Sequence, residues 1–353
     1  MKNRSLKHRN IPIFIPHLGC PNACVFCNQR SISGKQGFDR GSVIDEIEAA
    51  LDTIPADCEV EIAYFGGSFT GIDRELMIYL LDVAKKYVDR ADDGRARVMG
   101  IRMSTRPDYI TPEIMRILSN YPVKTIELGL QSMDDEVLTL SGRGHNAAIA
   151  ENSCKMIKNA GYSLVGQMMI GLPGSSLEKE LMTAKKICEV GAFGARIYPT
   201  VTFFNTELAN MVDRGEYEML GIEDAVYRSK EVLKVFEAHG VECIRIGLCA
   251  SDNLGDLEKV KGGANHPALG ELVRGELCYD ELRSIFQGLS KKESLAGKSF
   301  YVSVGKGDLS SAIGQRGKNR ERLKCEFSLK ELTFKEMTGS VGITVFEKEQ
   351  LTN

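Results

Sequence analysis

Residues 59–91 read EVEIAYFGGSFTGIDRELMIYLLDVAKKYVDRA and contain one complete strand–loop–helix unit. The apolar run 59–65 predicts a buried strand, and the two glycines after it predict a turn. From residue 73 to residue 91, apolar residues follow the three- and four-residue spacing of a helix that covers a sheet. A strand followed by such a helix favours a parallel sheet.

The same unit recurs along the chain. Strands are predicted near 11–15, 59–65, 98–104, 124–130, 163–169 and 194–200, and helices near 41–53, 73–91, 112–119, 146–160 and 176–190. Six strands that alternate with helices predict an α/β fold, an incomplete (β/α)6 barrel of TIM type, in which chemistry sits at the carboxyl ends of the strands.

The composition of the chain is that of an ordinary globular protein. Its 353 residues are 43% apolar and 26% charged, which excludes disordered, collagenous and disulfide-scaffold classes. This length predicts a large domain and a smaller one. No apolar run approaches the roughly 20 residues of a membrane helix, and Pro12 interrupts the short N-terminal apolar run, so neither a membrane span nor a signal peptide is expected. Ten cysteines without an export signal predict a reducing compartment, the cytoplasm.

Three of these cysteines lie within eight residues. Residues 17–30, HLGCPNACVFCNQR, place Cys20, Cys24 and Cys27 in a C-x3-C-x2-C pattern, while the other seven are dispersed and typical of small buried side chains. A zinc site requires a fourth ligand, for which His17 is the nearest histidine. A four-iron cluster held by three cysteines leaves one iron open to an outside ligand. The pattern favours the iron–sulfur site; a zinc knuckle and chance clustering are the alternatives.

With Phe26 at the position before the last cysteine, the pattern resembles the C-x3-C-x-aromatic-C signature of the radical S-adenosylmethionine (SAM) superfamily. The resemblance implies a [4Fe–4S] cluster held by the three cysteines, with SAM bound to its open iron. It further implies reductive cleavage of SAM to a 5′-deoxyadenosyl radical, with an electron from a low-potential donor such as flavodoxin or ferredoxin. The incomplete barrel is the usual core of that superfamily.

Polar residues and glycines at the ends of the predicted strands are candidates for binding SAM. Gly66 and Gly67 resemble the glycine motif of the superfamily, although Ser68 replaces its acidic residue. Glu127 lies in an otherwise apolar strand, where it contacts a polar cofactor or forms a buried ion pair with Arg106 or Arg196; for the others, packing or a loop role is the alternative. By resemblance, the cofactor-binding set is Phe26, Gly66, Gly67, Ser68, Ser104, Arg106, Glu127, Gln131, Gln167, Arg196 and Tyr198.

Within the superfamily, residues 10–280 resemble the radical SAM domain of the elongator-complex catalytic subunit and its bacterial relatives. The segments that carry this resemblance are FGGSFTG, IRMSTRPDYI, IELGLQSMDDEVL, GRGH and QMMIGLPG. The remaining residues lack a glycine-rich coenzyme A signature, so the acetyl transfer of elongator is not expected.

The C-terminal part of the chain is basic. Residues 291–324 contain nine Lys or Arg against three Asp or Glu, whereas the whole chain has a net charge of −3. The predicted order of strand, helix, G-x-x-G, helix and strand resembles a KH domain, and implies that Gly314, Arg316, Gly317 and Lys318 contact RNA. A solvated helix-turn-helix surface is the alternative. The expected domains are the partial barrel at 1–250, a connecting segment covering it at 251–290, and a basic, KH-like α+β module at 291–353.

These features predict a radical SAM enzyme that modifies RNA (tRNA or rRNA). One alternative is a radical SAM or haem-handling protein that acts on a small molecule, like the coproporphyrinogen oxidase relatives. A second alternative is a non-catalytic RNA-binding protein with a metal knuckle.

Overall fold

A computed structural model describes residues 7–15, 18–20, 24–28, 37–248, 258–337 and 342–348. The chain divides into two compact units. Unit 1 comprises residues 1–221 and 232–265, and unit 2 comprises residues 222–231 and 266–353. None of the helices in the described ranges combines the length and apolarity needed to cross a membrane.

Unit 1 is built on strands that follow one another in chain order. They are β1 (Lys7–Phe14), β2 (Cys58–Phe65), β3 (Arg97–Thr105), β4 (Val123–Gln131), β5 (Ser163–Ile170), β6 (Gly194–Pro199), β7 (Val201–Phe203), β8 (Glu242–Ile246) and β9 (Val260–Gly263). Seven form one parallel sheet in the order β1-β2-β3-β4-β5-β6-β8, and β7 pairs antiparallel with β9. In the described residues β1 and β8 are the two edges of the large sheet, so the predicted incomplete barrel is confirmed.

Strand β8 was not among the six predicted strands. Its sequence ECIRI contains a glutamate and an arginine, and none of its five residues is fully buried. An edge strand has a neighbour on only one side, so it lacks the continuous apolar run by which buried parallel strands are recognised.

Helices connect the strands of the parallel sheet. They are α1 (Val43–Thr53), α2 (Arg74–Val88), α3 (Pro112–Leu118), α4 (Asp135–Leu140), α5 (Ala147–Asn159), α6 (Leu177–Glu189) and α7 (Glu207–Asp213), and α8 (Ile222–Ala238) follows them. Side-chain caps fix where several begin: Asp73 accepts a hydrogen bond from the Leu76 amide, and Asn146 accepts one from the Ile149 amide. Helix α2 buries Met77, Leu80, Leu81, Val83 and Ala84, whereas Ile78 is exposed.

Unit 2 contains α9 (Leu269–Ser290), β10 (Ser299–Val304), α10 (Leu309–Ile313), α11 (Lys318–Glu326), β11 (Glu331–Glu336) and β12 (Thr344–Glu347). Strand β10 is central and pairs parallel with β11 and antiparallel with β12. Leu282 and Phe286 of α9 share one core with Phe300, Val302 and Leu323. Residues 269–290, expected within a connecting segment, therefore belong to the core of unit 2, and the predicted boundaries at 250 and 290 stay a prediction.

Candidate active site

The loop that bears the first cysteine packs backbone to backbone against the loop after β2. Gly19 has a φ of +72°, and a Cβ atom there would lie 2.3 Å from the Ser68 carbonyl oxygen. A Cβ atom on Gly67 would lie 2.4 Å from the Leu18 carbonyl oxygen, which accepts a hydrogen bond from the Ser68 amide at 3.1 Å. Glycine is therefore required on both sides of this contact, which holds the cysteine segment against the end of β2.

Gly66 and Gly67, predicted to approach SAM, have different structural roles. Gly66 has a φ of +95°, a backbone conformation that residues with a side chain rarely adopt. It therefore allows the chain to turn after β2. Gly67 approaches the protein backbone itself. Contact of either residue with the cofactor stays a prediction.

In the sequence, Cys20 and Cys27 flank Cys24, which is buried. The Cys20 thiol lies 3.7 Å from the hydroxyl of buried Ser68, to which it donates. The Cys27 amide donates to the Cys24 carbonyl oxygen at 2.9 Å, so the second and third cysteines share one turn. The Val25 amide, in that turn, donates to the Ser141 carbonyl oxygen and ties it to the end of α4.

Two guanidinium groups face the Cys24 sulfur. Arg143 places Nη1 3.3 Å from Cys24 Sγ, and Arg106 places Nη1 3.9 Å from the same atom. Arg143 also donates through Nη2 to the Gly129 carbonyl oxygen. Cys24 is 8% exposed, and the two arginines are 5% and 4% exposed. A thiolate is stabilised by such buried cationic donors, so the surroundings favour Cys24 as a metal ligand.

Asp108 fixes the guanidinium of Arg106. Its two carboxylate oxygens accept hydrogen bonds from Arg106 Nε at 2.9 Å and Nη2 at 3.0 Å, and Nη2 also donates to the Arg143 carbonyl oxygen. Burial opposes the charge of Arg106, but Asp108, and to a lesser extent Cys24 and Cys20, raise its pKa on balance. Arg106 is therefore a permanent cation whose donors are directed at protein groups.

His145, from the GRGH segment, lies beside this cluster. Its side chain is fully buried, and Nδ1 lies 3.9 Å from Asp108 Oδ1. Neither ring nitrogen has a hydrogen-bond partner within the part of the chain that the structure describes. Burial and the nearby charge of Arg143 lower the pKa of His145 to about 4, so the imidazole is neutral at pH 7.

The low pKa of His145 predicts a loss of stability in mild acid. Between the unfolded pKa of 6.5 and the folded pKa of about 4, the unfolded chain binds more protons, so the free energy of unfolding falls as the pH falls. From pH 7 to pH 5, wild type should lose about 2 kcal/mol more than His145→Gln. Urea denaturation of both proteins at the two pH values measures the difference. Equal losses would show that His145 is readily protonated in the folded protein.

Glu127 is the centre of a buried ion-pair network on the sheet. Arg196 donates to both of its carboxylate oxygens, from Nε at 2.8 Å and Nη2 at 3.0 Å. Arg102 Nε donates at 2.6 Å and Gln167 Nε2 at 2.7 Å. Burial opposes ionisation of Glu127, but Arg196 and then Arg102 lower its pKa on balance. Of the two ion pairs considered from sequence, the one with Arg196 forms, whereas Arg106 pairs with Asp108.

The network continues across the sheet to β1. Arg102 Nη1 donates to Glu61 Oε2 at 3.3 Å, and Glu61 also accepts from Thr125 at 2.9 Å and contacts His8 at 3.0 Å. Arg102 Nη2 is buried and has no hydrogen-bond partner among the described residues. The adjacent strands β2, β3 and β4 thus contribute the alternating charges of Glu61, Arg102 and Glu127, so each buried charge lies next to its opposite.

The remaining predicted cofactor residues have separate surroundings. Phe26 and Tyr198 pack against an apolar cluster of Val137, Met169 and Leu172, so the aromatic residue of the cysteine motif anchors its turn on the barrel. Ser104 accepts a hydrogen bond from Gln167 at 3.4 Å.

Gln131 ends β4 with a φ of +63°, and its side-chain oxygen is buried without a partner within the described ranges. A non-glycine residue in this conformation is strained, and such strain is often found where a ligand binds.

The structure thus brings the predicted residues into two groups. One holds Cys20, Cys24 and Arg106 at the ends of β1 to β3, and the other holds Glu127, Gln167 and Arg196. No role for Arg102, Glu61, Asp108, Arg143 or His145 follows from the sequence alone. Charged residues within apolar strands are the signal that singled out Glu127, and the same signal would have identified Arg102 and Glu61.

The donor set fits an iron–sulfur cluster. Cysteine thiolates are the usual ligands of such clusters, and three cysteines lie within eight residues here, two of them close enough to Arg106 to raise its pKa. Among the described residues, no three His, Cys, Asp or Glu side chains are already arranged as a metal site. The fit therefore rests on the chemistry of the thiols and on the cations around Cys24.

Comparison with known families agrees with this donor set. The Radical SAM superfamily profile matches residues 14–187, and the profile of the Radical_SAM C-terminal domain matches residues 193–278. The chain belongs to the radical SAM superfamily. It is a radical SAM enzyme, and the cofactors of this family are a [4Fe–4S] cluster and SAM.

Among curated relatives, the chain is 28% identical over 222 residues to an uncharacterised protein of Methanocaldococcus jannaschii, covering 60% of this chain and 66% of the relative. It is 27% identical over 187 residues to the tRNA uridine(34) acetyltransferase of Methanocaldococcus infernus, covering 49% of this chain and 35% of that protein. These matches span less than two thirds of the relatives.

Among solved structures, the archaeal Elp3 of Methanocaldococcus infernus with an N-terminal deletion has a TM-score of 0.58 at 19% identity, covering 81% of this chain and 63% of that chain. At this identity the likeness concerns the fold alone.

Proposed function

We propose that this radical SAM enzyme modifies RNA and binds its cluster through Cys20, Cys24 and Cys27. The observation that supports the cluster assignment is the buried Cys24 sulfur, which two guanidinium groups face at the carboxyl ends of the strands. When bound, the cluster and SAM supply a 5′-deoxyadenosyl radical, chemistry that no side chain provides. The electron comes from a low-potential donor, for which flavodoxin and ferredoxin are candidates.

The buried network determines what the barrel offers a polar cofactor. Glu127 accepts four hydrogen bonds, so its carboxylate orients other groups instead of binding a ligand itself. Because these hydrogen bonds fix the side chains of Arg196 and Gln167, the atoms not bonded to Glu127, Arg196 Nη1 and Gln167 Oε1, have defined positions. A carboxylate or a ribose hydroxyl of SAM is suited to such atoms, since arginine donates up to five hydrogen bonds and the Gln oxygen accepts.

An RNA substrate is supported by unit 2 and by the relatives. The name of one relative, a tRNA uridine(34) acetyltransferase, refers to a tRNA nucleoside. In this chain the G-x-x-G loop lies between α10 and α11, in the order typical of a KH domain. Gly314, Arg316 and Gly317 all have positive φ, at +76°, +54° and +78°. The loop is thus sharply turned and presents the side chain of Arg316 at an exposed tip.

A buried asparagine fixes the shape of this loop. Asn319 is 2% exposed and donates to the Gly275 carbonyl oxygen at 2.7 Å and to the Ser311 carbonyl oxygen at 3.1 Å. A Cβ atom on Gly314 would lie 2.7 Å from the Asn319 side chain, so glycine is required there. The turn is therefore preorganised by packing within unit 2.

The two basic residues of the loop differ in their partners. Lys318 lies 3.3 Å from Glu276, which also pairs with Arg322 at 2.7 Å. The structure gives the Arg316 guanidinium no hydrogen-bond or ion-pair partner within the described ranges. We propose that Arg316 is the main phosphate contact and that Lys318 contributes less, because Glu276 offsets its charge.

Charge reversal in the loop tests the RNA proposal. Arg316→Asp with Lys318→Asp should weaken RNA binding at least tenfold, because phosphate contacts are replaced by repulsion. Cluster content and SAM cleavage without substrate should not change. Filter binding measures affinity, and mass spectrometry of nucleosides compares cells with wild type, with the double variant and without the protein. The modified nucleoside should be lost in the last and reduced in the variant.

Lys291→Asp with Lys292→Asp is the matched control. Both lysines are exposed in the same unit, and the change in charge is identical. Equal effects of the two double variants would argue against a specific role of the loop. Identical nucleoside profiles with and without the protein, together with a changed pool of a small metabolite, would instead support a small-molecule substrate.

A further inference from the structure

The surroundings of Cys20 and Cys24 are unequal. Cys20 lies beside a neutral hydroxyl, that of Ser68, at 3.7 Å. Cys24 lies beside two guanidinium groups, at 3.3 Å and 3.9 Å. Among the described residues, the guanidinium groups that contact these two thiols both lie at Cys24, although Cys20 is near enough to Arg106 to influence its pKa.

Both guanidinium groups are held in place by further hydrogen bonds. Arg106 is fixed by the two oxygens of Asp108 and by the Arg143 carbonyl oxygen. Arg143 is fixed through its other terminal nitrogen by the Gly129 carbonyl oxygen. Among the described residues, Asp108 is the carboxylate that pairs with these guanidinium groups, through Arg106, and its side chain is 24% exposed. The two arginines outnumber it, so a net positive charge remains next to Cys24.

We propose that Arg143 and Arg106 set the reduction potential of the cluster through the Cys24 sulfur. This inference rests on the proposed function, which makes Cys24 a cluster ligand. Reduction adds one electron from an external low-potential donor and breaks no bond, so the cluster gains one negative charge. Net charge and hydrogen bonds to the sulfurs are established determinants of such potentials. The two guanidinium groups stabilise the reduced state and so raise the potential, which makes the cluster easier to reduce.

Neutral and charged replacements separate this electrostatic role from a purely structural one. Arg143→Gln removes the charge but keeps a hydrogen-bond donor. Arg143→Lys keeps the charge but loses the planar guanidinium with its fixed set of donors. We expect Arg143→Gln to lower the ratio of reduced to oxidised cluster at a fixed potential about tenfold, which is about 59 mV for a one-electron couple. Arg143→Lys should remain close to wild type.

Arg106 provides an independent pair of variants. Arg106→Gln should shift the potential in the same direction but less, because its Nη1 is further from the sulfur and Asp108 offsets part of its charge. Arg106→Lys should again resemble wild type. If Arg143→Gln fails to fold or to hold iron, the comparison of the two Arg106 variants decides the question by the same measurement.

The measurement is a redox titration of the reconstituted holoprotein, followed by electron paramagnetic resonance of the reduced cluster. Iron and sulfide contents are determined for each sample. Arg116→Gln is the control, because Arg116 is exposed on α3 and its loss changes the net charge equally. A wild-type chain that holds no cluster would overturn both the proposed function and this inference. Clusters with a wild-type potential in both glutamine variants, or equal shifts in the lysine and glutamine variants, would overturn the inference alone.

Discussion

We expect Cys24→Ser to abolish cluster binding and SAM cleavage, which is the largest effect on activity predicted for any single substitution. Serine removes one of three thiolate ligands and leaves a hydroxyl, which is a poor ligand for iron at neutral pH. The two guanidinium groups next to Cys24 would then face a neutral oxygen in place of a thiolate. The reconstituted variant should be almost colourless and should release no detectable 5′-deoxyadenosine on reduction.

Cys188→Ser is the matched control for this experiment. Cys188 lies in α6 of the same unit, is partly buried and is distant in sequence from the cysteine triplet. It should keep the iron content and SAM cleavage of wild type. Retention of cleavage by Cys24→Ser would show that the cluster is held by other residues. Loss in both variants would point to unfolding, which circular dichroism would reveal.

The parts of the fold that the sequence predicts are those with a strong local pattern. Helix α2 and strand β2 carry apolar residues at the spacing of their secondary structure and are buried accordingly. Strand β8 and the two-stranded pair β7–β9 escape prediction because they are short, and because the apolar pattern is weak in β8 and β9. Their pairing depends on contacts distant in sequence, which periodicity does not record.

The candidate site likewise combines features that are local in sequence with features that are not. The cysteine spacing is local, and it indicates the class of cofactor directly. The partners of Cys24 are not local: Arg106 and Arg143 lie 82 and 119 residues away in sequence. Glycines illustrate a further limit, because Gly67 is recognisable from sequence but the surface it approaches, the Leu18 backbone, is not. The motif therefore predicts the ligands, and only the structure reveals the charges that act on them.

Removal of the Glu127 carboxylate should have the largest effect on stability. Glu127→Ala leaves the buried Arg102 and the largely buried Arg196 without their shared counterion, and breaking a buried ion pair in this way costs about 3–5 kcal/mol. Glu48→Ala is the matched control, because Glu48 also pairs with two arginines, Arg90 and Arg95, but at the protein surface. Solvent screens a surface pair, so its loss should cost far less than that of Glu127. Urea denaturation followed by circular dichroism gives both free energies of unfolding. Similar costs for the two variants would show that the guanidinium groups in the barrel reach other counterions or water, and that Glu127 does not hold Arg196 and Gln167 in place.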